Sequence, residues 1–251
     1  MADAWRLAVG TLTAIPVGAP GRVTRDTAGR AMLLAPLAVL PLGALVTLLT
    51  WAGREAGLAP PAVATVAVGA LALGSRALHW DGVSDTVDGL TASYDAERSL
   101  AVMKSGTAGP AGVVAVVLLL LAQVAALSWL VDSLRTAVVA GVLVCGSRCA
   151  LALACVRGVP AARPDGLGVG FSGTVAPEAA AASWLAAAGG CALAFGWAGL
   201  EWWRGVLAVI VAAAALGLLL RRTTTRFGGV TGDVLGAGIE LTLAVLLVAA
   251  T

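Results

Sequence analysis

The stretch His79-Trp80-Asp81-Gly82-Val83-Ser84-Asp85-Thr86-Val87-Asp88-Gly89 is an acidic segment in surroundings made mostly of Ala, Val, Leu and Gly. Its three carboxylates follow one another at spacings of four and three residues, so a helix would carry all three on one face. Like charges this close repel one another unless a cation lies among them. Because oxygen-only ligands are typical of hard divalent cations, the stretch indicates a Mg²⁺ site and marks Asp81, Asp85 and Asp88 as candidate catalytic residues.

The sequence around this stretch is that of a membrane protein. Of the 251 residues, 59% are hydrophobic and only 12% are charged, and the mean hydropathy is +0.95. A soluble domain carries about a quarter charged residues. The alternative interpretation of the stretch is a solvated acidic helix end. Ionisable groups beside a membrane span are rare and usually functional, which favours a site. We therefore expect an all-α, polytopic integral membrane helix bundle.

Seven apolar runs are each close to the length of about 20 residues that crosses a bilayer. They lie near 31–52, 60–78, 110–131, 136–156, 180–200, 203–220 and 234–250. Residues 1–30 are mixed in character and predict a short cytoplasmic or interfacial segment. The whole chain, 1–251, is interpreted as a single transmembrane catalytic domain.

The basic residues predict the orientation of the spans. With the N-terminus in the cytoplasm, thirteen of the sixteen Arg and Lys residues fall on the inner side, and only Arg54, Arg135 and Arg204 fall outside. Such a bias is typical of cytoplasmic loops. We therefore expect a multi-pass protein of the cell membrane with its active site on the cytoplasmic side.

Several inner segments carry residues suited to a phosphate-containing substrate. The loop 103–112 is rich in Gly and hydroxyl groups and offers free backbone N–H groups to a phosphate. The Gly-rich loop 163–173 is typical of a lid, and the segment 221–233 combines arginines, a Gly-rich turn and an acid. Arg148 in the fourth span and Arg226 before the last span are candidates for phosphate binding, although snorkelling or lipid anchoring is the alternative for each. Glu240 follows Asp233 by seven residues, so the two form a second acidic stripe on one helix face.

Two acidic stripes together with arginines and Gly-rich loops predict phosphoryl transfer, in which metal ions bridge carboxylates to phosphate oxygens. The predicted metal ligands are Asp81, Asp85, Asp88, Asp233 and Glu240. The predicted substrate-binding residues are His79, Arg98, Lys104, Arg148, Arg226, Gly228, Gly229, Thr231 and Gly232.

The acidic stretch resembles the H-x-D-G-x-x-D-x-x-D-G signature of cobalamin synthases, the adenosylcobinamide-GDP ribazoletransferases. Other motifs of the family recur in the same order along the chain. Thr13-Ala14-Ile15-Pro16 precedes the acidic stretch, and Ser147-Arg148 and the segment 228–237 with Glu240 come after it. The resemblance covers essentially the whole chain. One departure is Met103-Lys104-Ser105-Gly106, where the family usually has M-K-D-S.

The resemblance implies the last assembly step of vitamin B12 synthesis. A hydroxyl of α-ribazole, or of its 5′-phosphate, would attack the cobinamide-side phosphorus of adenosylcobinamide-GDP, and GMP would leave. It implies Mg²⁺ as the cofactor and the lipid bilayer as the surroundings of the protein. No nucleic-acid partner is expected, and a homo-oligomer is compatible with the resemblance. Two alternatives stay open: a CDP-alcohol phosphotransferase of phospholipid synthesis, whose acidic signature is spaced differently, and a cation transporter, which would bury its acids near mid-membrane.

Overall fold

The computed structural model describes residues 1–251, which form thirteen helices and no strand beyond two isolated β-bridges. In chain order the helices are α1 Ala2–Leu12, α2 Arg25–Ala38, α3 Leu40–Glu55, α4 Pro60–Gly74, α5 Leu78–Ala92, α6 Ala96–Met103, α7 Pro110–Trp129, α8 Leu134–Ser147, α9 Cys149–Ala154, α10 Leu167–Phe171, α11 Pro177–Trp197, α12 Trp202–Phe227 and α13 Gly232–Ala250. The predicted all-α class is confirmed.

Six helical segments are long and apolar enough to cross a membrane. They are α2 with α3 (Arg25–Glu55), α7, α8 with α9 (Leu134–Ala154), α11, α12 and α13. A seventh span results if α4 and α5 cross together as a bent pair. The structure thus agrees with the predicted count of about seven spans, while the orientation of the N-terminus stays a prediction.

The acidic stretch does not continue the preceding span but turns away from it. Helices α4 and α5 meet at an angle of 89°. At the bend, Arg76 and Ala77 have φ values of 60° and 54°, in the left-handed region that costs a non-glycine residue about 1–3 kcal/mol. Contacts with the chain around α1 hold the bend, because Arg76 donates to the Gly10 carbonyl and the Ala14 amide donates to the Gly74 carbonyl.

Helix α13 is the central element against which the acidic helix packs. It is buried along most of its length and contacts α5, α7, α8, α9 and α12. Two glycines let α5 approach its backbone directly. A Cβ atom at Gly82 would lie 2.6 Å from the Asp233 carbonyl oxygen, and one at Gly236 would lie 3.0 Å from the His79 Cα. The two predicted acidic segments are therefore neighbours.

The Gly-rich loop after α9 is fastened over the start of α13. Its backbone bridges Val156 to Val175 and Ala161 to Val230. The Ala162 amide donates to the Val230 carbonyl at 2.9 Å, and the Val230 amide donates to the Pro160 carbonyl at 2.9 Å. This loop and α10 thus form a wall of the site rather than a free connection.

Candidate active site

A concentration of negative charge lies where α5 crosses the first turn of α13. Asp81 is exposed, and Asp85 and Asp233 are half-buried. The charges of Asp81, Asp233 and Asp88 all act on Asp85, and the guanidinium of Arg163 opposes them. Three of the five predicted metal ligands, Asp81, Asp85 and Asp233, therefore share one open site.

Asp88 belongs to the same helix face, and each of its carboxylate oxygens accepts a hydrogen bond from the start of α7. One oxygen accepts the Gly109 amide at 2.7 Å and the other accepts the Gly112 amide at 2.8 Å. These N–H groups belong to the free amides at the start of α7, where the helix dipole also favours a negative charge. A Cβ atom at Gly112 would lie 2.5 Å from Ser84 Oγ, so α5 and α7 touch closely here. The structure thus shows Asp88 as the joint between the two helices.

Glu240 lies apart from the acidic group, inside the bundle. It is 1% exposed, and its Oε1 lies 3.2 Å from His79 Nδ1 while Oε2 accepts Gln123 Nε2 at 2.9 Å. Both carboxylate oxygens therefore have protein partners. Because Glu240 holds one nitrogen of His79, it sets the orientation of a ring that borders the same cavity as Asp81 and Asp233.

Arg148 is enclosed in the bundle at the break between α8 and α9. Its side chain is fully buried, and its Nη1 donates to the Val144 carbonyl at 3.1 Å and to Ser147 Oγ at 2.7 Å. The charge of Glu240 acts on it from within the bundle. The structure does not bring this predicted phosphate ligand to a cavity beside Asp85.

Arg226 is also held by the fold. It is 7% exposed and donates to the carbonyls of Leu90 and Ser93, at the end of α5. Its guanidinium lies 4.4 Å from the centre of the Tyr94 ring, a cation–π distance. These contacts fasten the end of α12 to the turn between α5 and α6, and they leave the arginine out of the acidic site.

Arg163 is the arginine that lines a cavity together with Asp233, and it is not among the site residues predicted from the sequence. Its Nη2 donates to the Leu100 carbonyl at 2.9 Å, and its buried Nε has no hydrogen-bond partner. Its charge acts on Asp85. The available signal was its position as the first residue of the Gly-rich loop, but nothing in the sequence showed that this loop folds over α13.

Two adjoining cavities meet at Leu167, Gly232 and Asp233. The first, which we call the apolar cavity, has a volume of about 150 Å³ and reaches from these residues past His79 and Asp81 into the bundle. The second, the polar cavity, has a volume of about 210 Å³. Its walls are loop residues and the start of α13: Arg163, Asp165, Gly166, Gly168, Val230, Thr231 and Gly232.

The predicted Gly- and Thr-containing segment builds one wall of the polar cavity. Thr231 caps α13, because its Oγ1 accepts the Val234 amide at 3.3 Å and donates to Asp233 Oδ2 at 3.1 Å. Gly228 ends α12 with a φ of 80°, a conformation that glycine adopts without strain. Thr231 and Gly232 therefore line the cavity, whereas Gly228 shapes the turn behind it, and Gly229 packs against the backbone of residues 160–162.

The two remaining predicted cations lie on α6 and at its end. Lys104 Nζ lies 2.9 Å from Asp165 Oδ2, and this hydrogen bond holds the pKa of the Asp165 carboxyl below its usual range. Both side chains are more than half exposed, so the pair contributes little to stability. Arg98 is exposed, and its backbone amide is capped by Asp95. Lys104 thus pairs with Asp165, which lines the polar cavity, whereas Arg98 has no such contact with a lining residue.

The open carboxylates are of the chemical type that binds Mg²⁺, but they do not form a complete metal site by themselves. The protein has no group of three or more His, Cys, Asp or Glu side chains that could hold a metal ion on its own. Mg²⁺ is usually bound by one or two carboxylates together with waters and substrate phosphates rather than by a cage of protein ligands. Asp81, Asp85 and Asp233 supply such carboxylates beside a cavity with phosphate-binding features.

Comparison with known proteins identifies the family. The family described as cobalamin-5-phosphate synthase matches residues 4–251. An adenosylcobinamide-GDP ribazoletransferase of Nocardioides sp. is 55% identical over 249 residues, covering 99% of this chain and 98% of the relative. Proteins of that name from Frankia casuarinae and Pseudomonas paraeruginosa are 42% and 36% identical and cover 96% and 95% of this chain and 92% and 93% of their own length. No solved structure matches the chain. Because the match extends over nearly its whole length, the chain belongs to the cobalamin-5-phosphate synthase family.

Proposed function

We propose that the protein joins α-ribazole, or its 5′-phosphate, to adenosylcobinamide-GDP with release of GMP, and that this occurs where the two cavities meet. The observation that carries the proposal is the position of Asp233, which borders both cavities and lies beside Asp81 and Asp85. The family and the names of its relatives supply the substrates. They do not favour the CDP-alcohol phosphotransferase or the transporter alternative.

The polar cavity suits the pyrophosphate of adenosylcobinamide-GDP. Arg163 lines this cavity, and the first turn of the 19-residue helix α13 directs free N–H groups and its positive dipole end towards the same space. Gly166 and Gly168 allow close approach of the loop backbone. These groups would hold the phosphoryl oxygens and fix the phosphorus for in-line attack.

The transfer itself exchanges one P–O bond for another. The ribazole hydroxyl oxygen bonds to the cobinamide-side phosphorus, and the bond from that phosphorus to the GMP oxygen breaks, with GMP keeping the electron pair. The hydroxyl proton passes to the carboxylate group formed by Asp81, Asp85 and Asp233. Mg²⁺, which one or two of these carboxylates would hold when the pyrophosphate is bound, would neutralise charge on the pyrophosphate and on departing GMP.

The reaction and its side of the membrane are tested together with sealed membrane vesicles. We expect inverted vesicles that contain the protein to release GMP from adenosylcobinamide-GDP when α-ribazole is added outside, because the polar loops are predicted to face the cytoplasm. Right-side-out vesicles should be silent until detergent opens them, and vesicles without the protein should stay silent. Equal release from intact right-side-out vesicles would contradict the orientation. No release from either kind after detergent would contradict the function.

Replacing Arg163 by Lys should lower the rate of GMP release on the order of 100-fold, although the positive charge is kept. A lysine ammonium cannot donate from two fixed N–H groups to one phosphate as a guanidinium does. The measurement is kcat/KM for adenosylcobinamide-GDP at saturating α-ribazole. The matched control is Arg157→Lys, since Arg157 is an exposed arginine of the same segment between α9 and α10. Parental kcat/KM in the Arg163 variant would remove this residue from the phosphate site.

A further inference from the structure

The apolar cavity has a chemical character that phosphate binding does not explain. Apolar side chains from several helices form most of its wall, among them Leu12, Met32, Leu151, Phe171 and Ile239. His79, Asp81 and Asp233 stand at one side of it. A ligand there would place an uncharged, apolar part against these side chains and a reacting part against the carboxylates.

We propose that this cavity binds the flat heterocyclic base of the ribazole substrate, a benzimidazole, and so selects the nucleophile. The inference rests on the proposed function and assigns one substrate to one half of the site. The volume of about 150 Å³ matches that of apolar cavities that accept a small aromatic ring. A corrin macrocycle is far larger than this space, and the polar edge of guanine would lose its hydrogen bonds against the apolar wall.

The connectivity of the substrate agrees with this placement. In a ribazole the base is attached directly to the ribose that carries the attacking hydroxyl. A base held against Met32 and Phe171 therefore leaves the ribose at the boundary marked by Asp233 and Gly232. The pyrophosphate in the polar cavity meets it from the other side. The two substrates thus approach the same carboxylates from opposite cavities, as in-line attack requires.

Two of the apolar side chains at the rim of the cavity are exposed. Leu167 is 60% exposed and Leu78 is 51% exposed, and both belong to the cavity wall. Thr11 of α1 is half-buried at the same rim. A bound aromatic base would pack against these leucine side chains and cover part of their exposed apolar surface.

The test fills the cavity from two independent elements. Thr11→Trp enters from α1 and Leu78→Trp enters from α5, and both residues line the apolar cavity but not the polar one, so a folding defect in one variant leaves the other informative. Each should raise KM for α-ribazole at least about tenfold, which corresponds to roughly 1.4 kcal/mol. KM for adenosylcobinamide-GDP should stay within about twofold of the parental value in both variants, because its pyrophosphate occupies the other cavity. Arg6→Trp is the control, since Arg6 is an exposed residue of α1 outside the cavity.

Direct binding of α-ribazole to the purified full chain, without adenosylcobinamide-GDP, separates this inference from the proposed function. The parent and the Arg6→Trp variant should bind α-ribazole, and both cavity variants should bind it at least about tenfold more weakly. If the parent releases GMP but the two cavity variants keep parental affinity and KM for α-ribazole, the cavity assignment is wrong and the function stands. If they lose affinity for adenosylcobinamide-GDP instead, the cavity belongs to the other substrate. If the parent neither releases GMP nor binds α-ribazole, both proposals fail.

Discussion

Asp85→Asn is expected to lower the turnover number on the order of 1000-fold while leaving the fold as stable as in the parent. Asp85 is half-buried among the charges of Asp81, Asp233 and Asp88. An amide of the same shape removes one of these repelling charges, so it should relieve repulsion in the empty site rather than weaken packing. The same change removes the anionic oxygens that would hold Mg²⁺ against the pyrophosphate, and the chemical step should fail.

Two quantities are measured: the rate of GMP release, and the thermal unfolding temperature with and without Mg²⁺. Binding of an ion to the folded state raises the unfolding temperature of the parent, and the Asp85→Asn variant should lose that rise. Glu178→Gln, which removes an exposed carboxylate in the first turn of α11, is the control and should keep both properties. Near-parental turnover in Asp85→Asn, or an equal Mg²⁺ effect on its unfolding, would exclude Asp85 from the metal site.

Asp88→Asn is expected to lose activity for a different reason, because it should destabilise the fold by about 3 kcal/mol. The buried carboxylate accepts the amides of Gly109 and Gly112, one on each oxygen. Asparagine keeps one acceptor oxygen and turns an NH₂ group towards the other N–H, leaving a buried donor unpaired. In a chain of this length the loss corresponds to a fall in unfolding temperature of roughly 6–12 °C.

Unfolding temperatures of Asp88→Asn and Asp85→Asn form the matched comparison, since the two sites are three residues apart on one helix. Gly112→Ala tests the same joint from the other side, because its Cβ would press on Asp88 and Ser84. It should therefore lower the unfolding temperature as Asp88→Asn does. If Asp88→Asn unfolds at the parental temperature and only turnover is lost, Asp88 acts as a ligand or catalytic group and not as the joint between α5 and α7.

The membrane-spanning all-α architecture was largely predictable from the sequence. Long apolar runs have few alternatives to helices when water is absent, because every backbone polar group must then be paired within the helix. The runs near 110–131, 180–200 and 234–250 agree with α7, α11 and α13 to within three residues at each end. Helical periodicity also placed Asp81, Asp85 and Asp88 on one face correctly, because that depends only on local geometry.

The sharp bend before α5 was not predictable from the same pattern. The run 60–78 reads as one span, yet α4 ends at Gly74 and α5 begins at Leu78 after two left-handed residues. Neither Arg76 nor Ala77 is a residue type that favours this conformation. The contacts with Gly10 and Ala14, more than sixty residues away along the chain, stabilise it, so tertiary packing overrides the local preference.

The sequence by itself determined the residue types of the site, the helix faces that carry them and the family to which they belong. Only the tertiary structure decided which of these side chains are open to a substrate. Asp85 and Asp88 look alike in the sequence, but the first turn of α7 takes up the oxygens of Asp88. Arg163 lines the polar cavity with Asp233, whereas Arg226 is held by carbonyls at the end of α5. Periodicity predicts only the direction in which a side chain points from its own helix. The partners of that side chain depend on tertiary packing, which brings together segments that are distant along the chain.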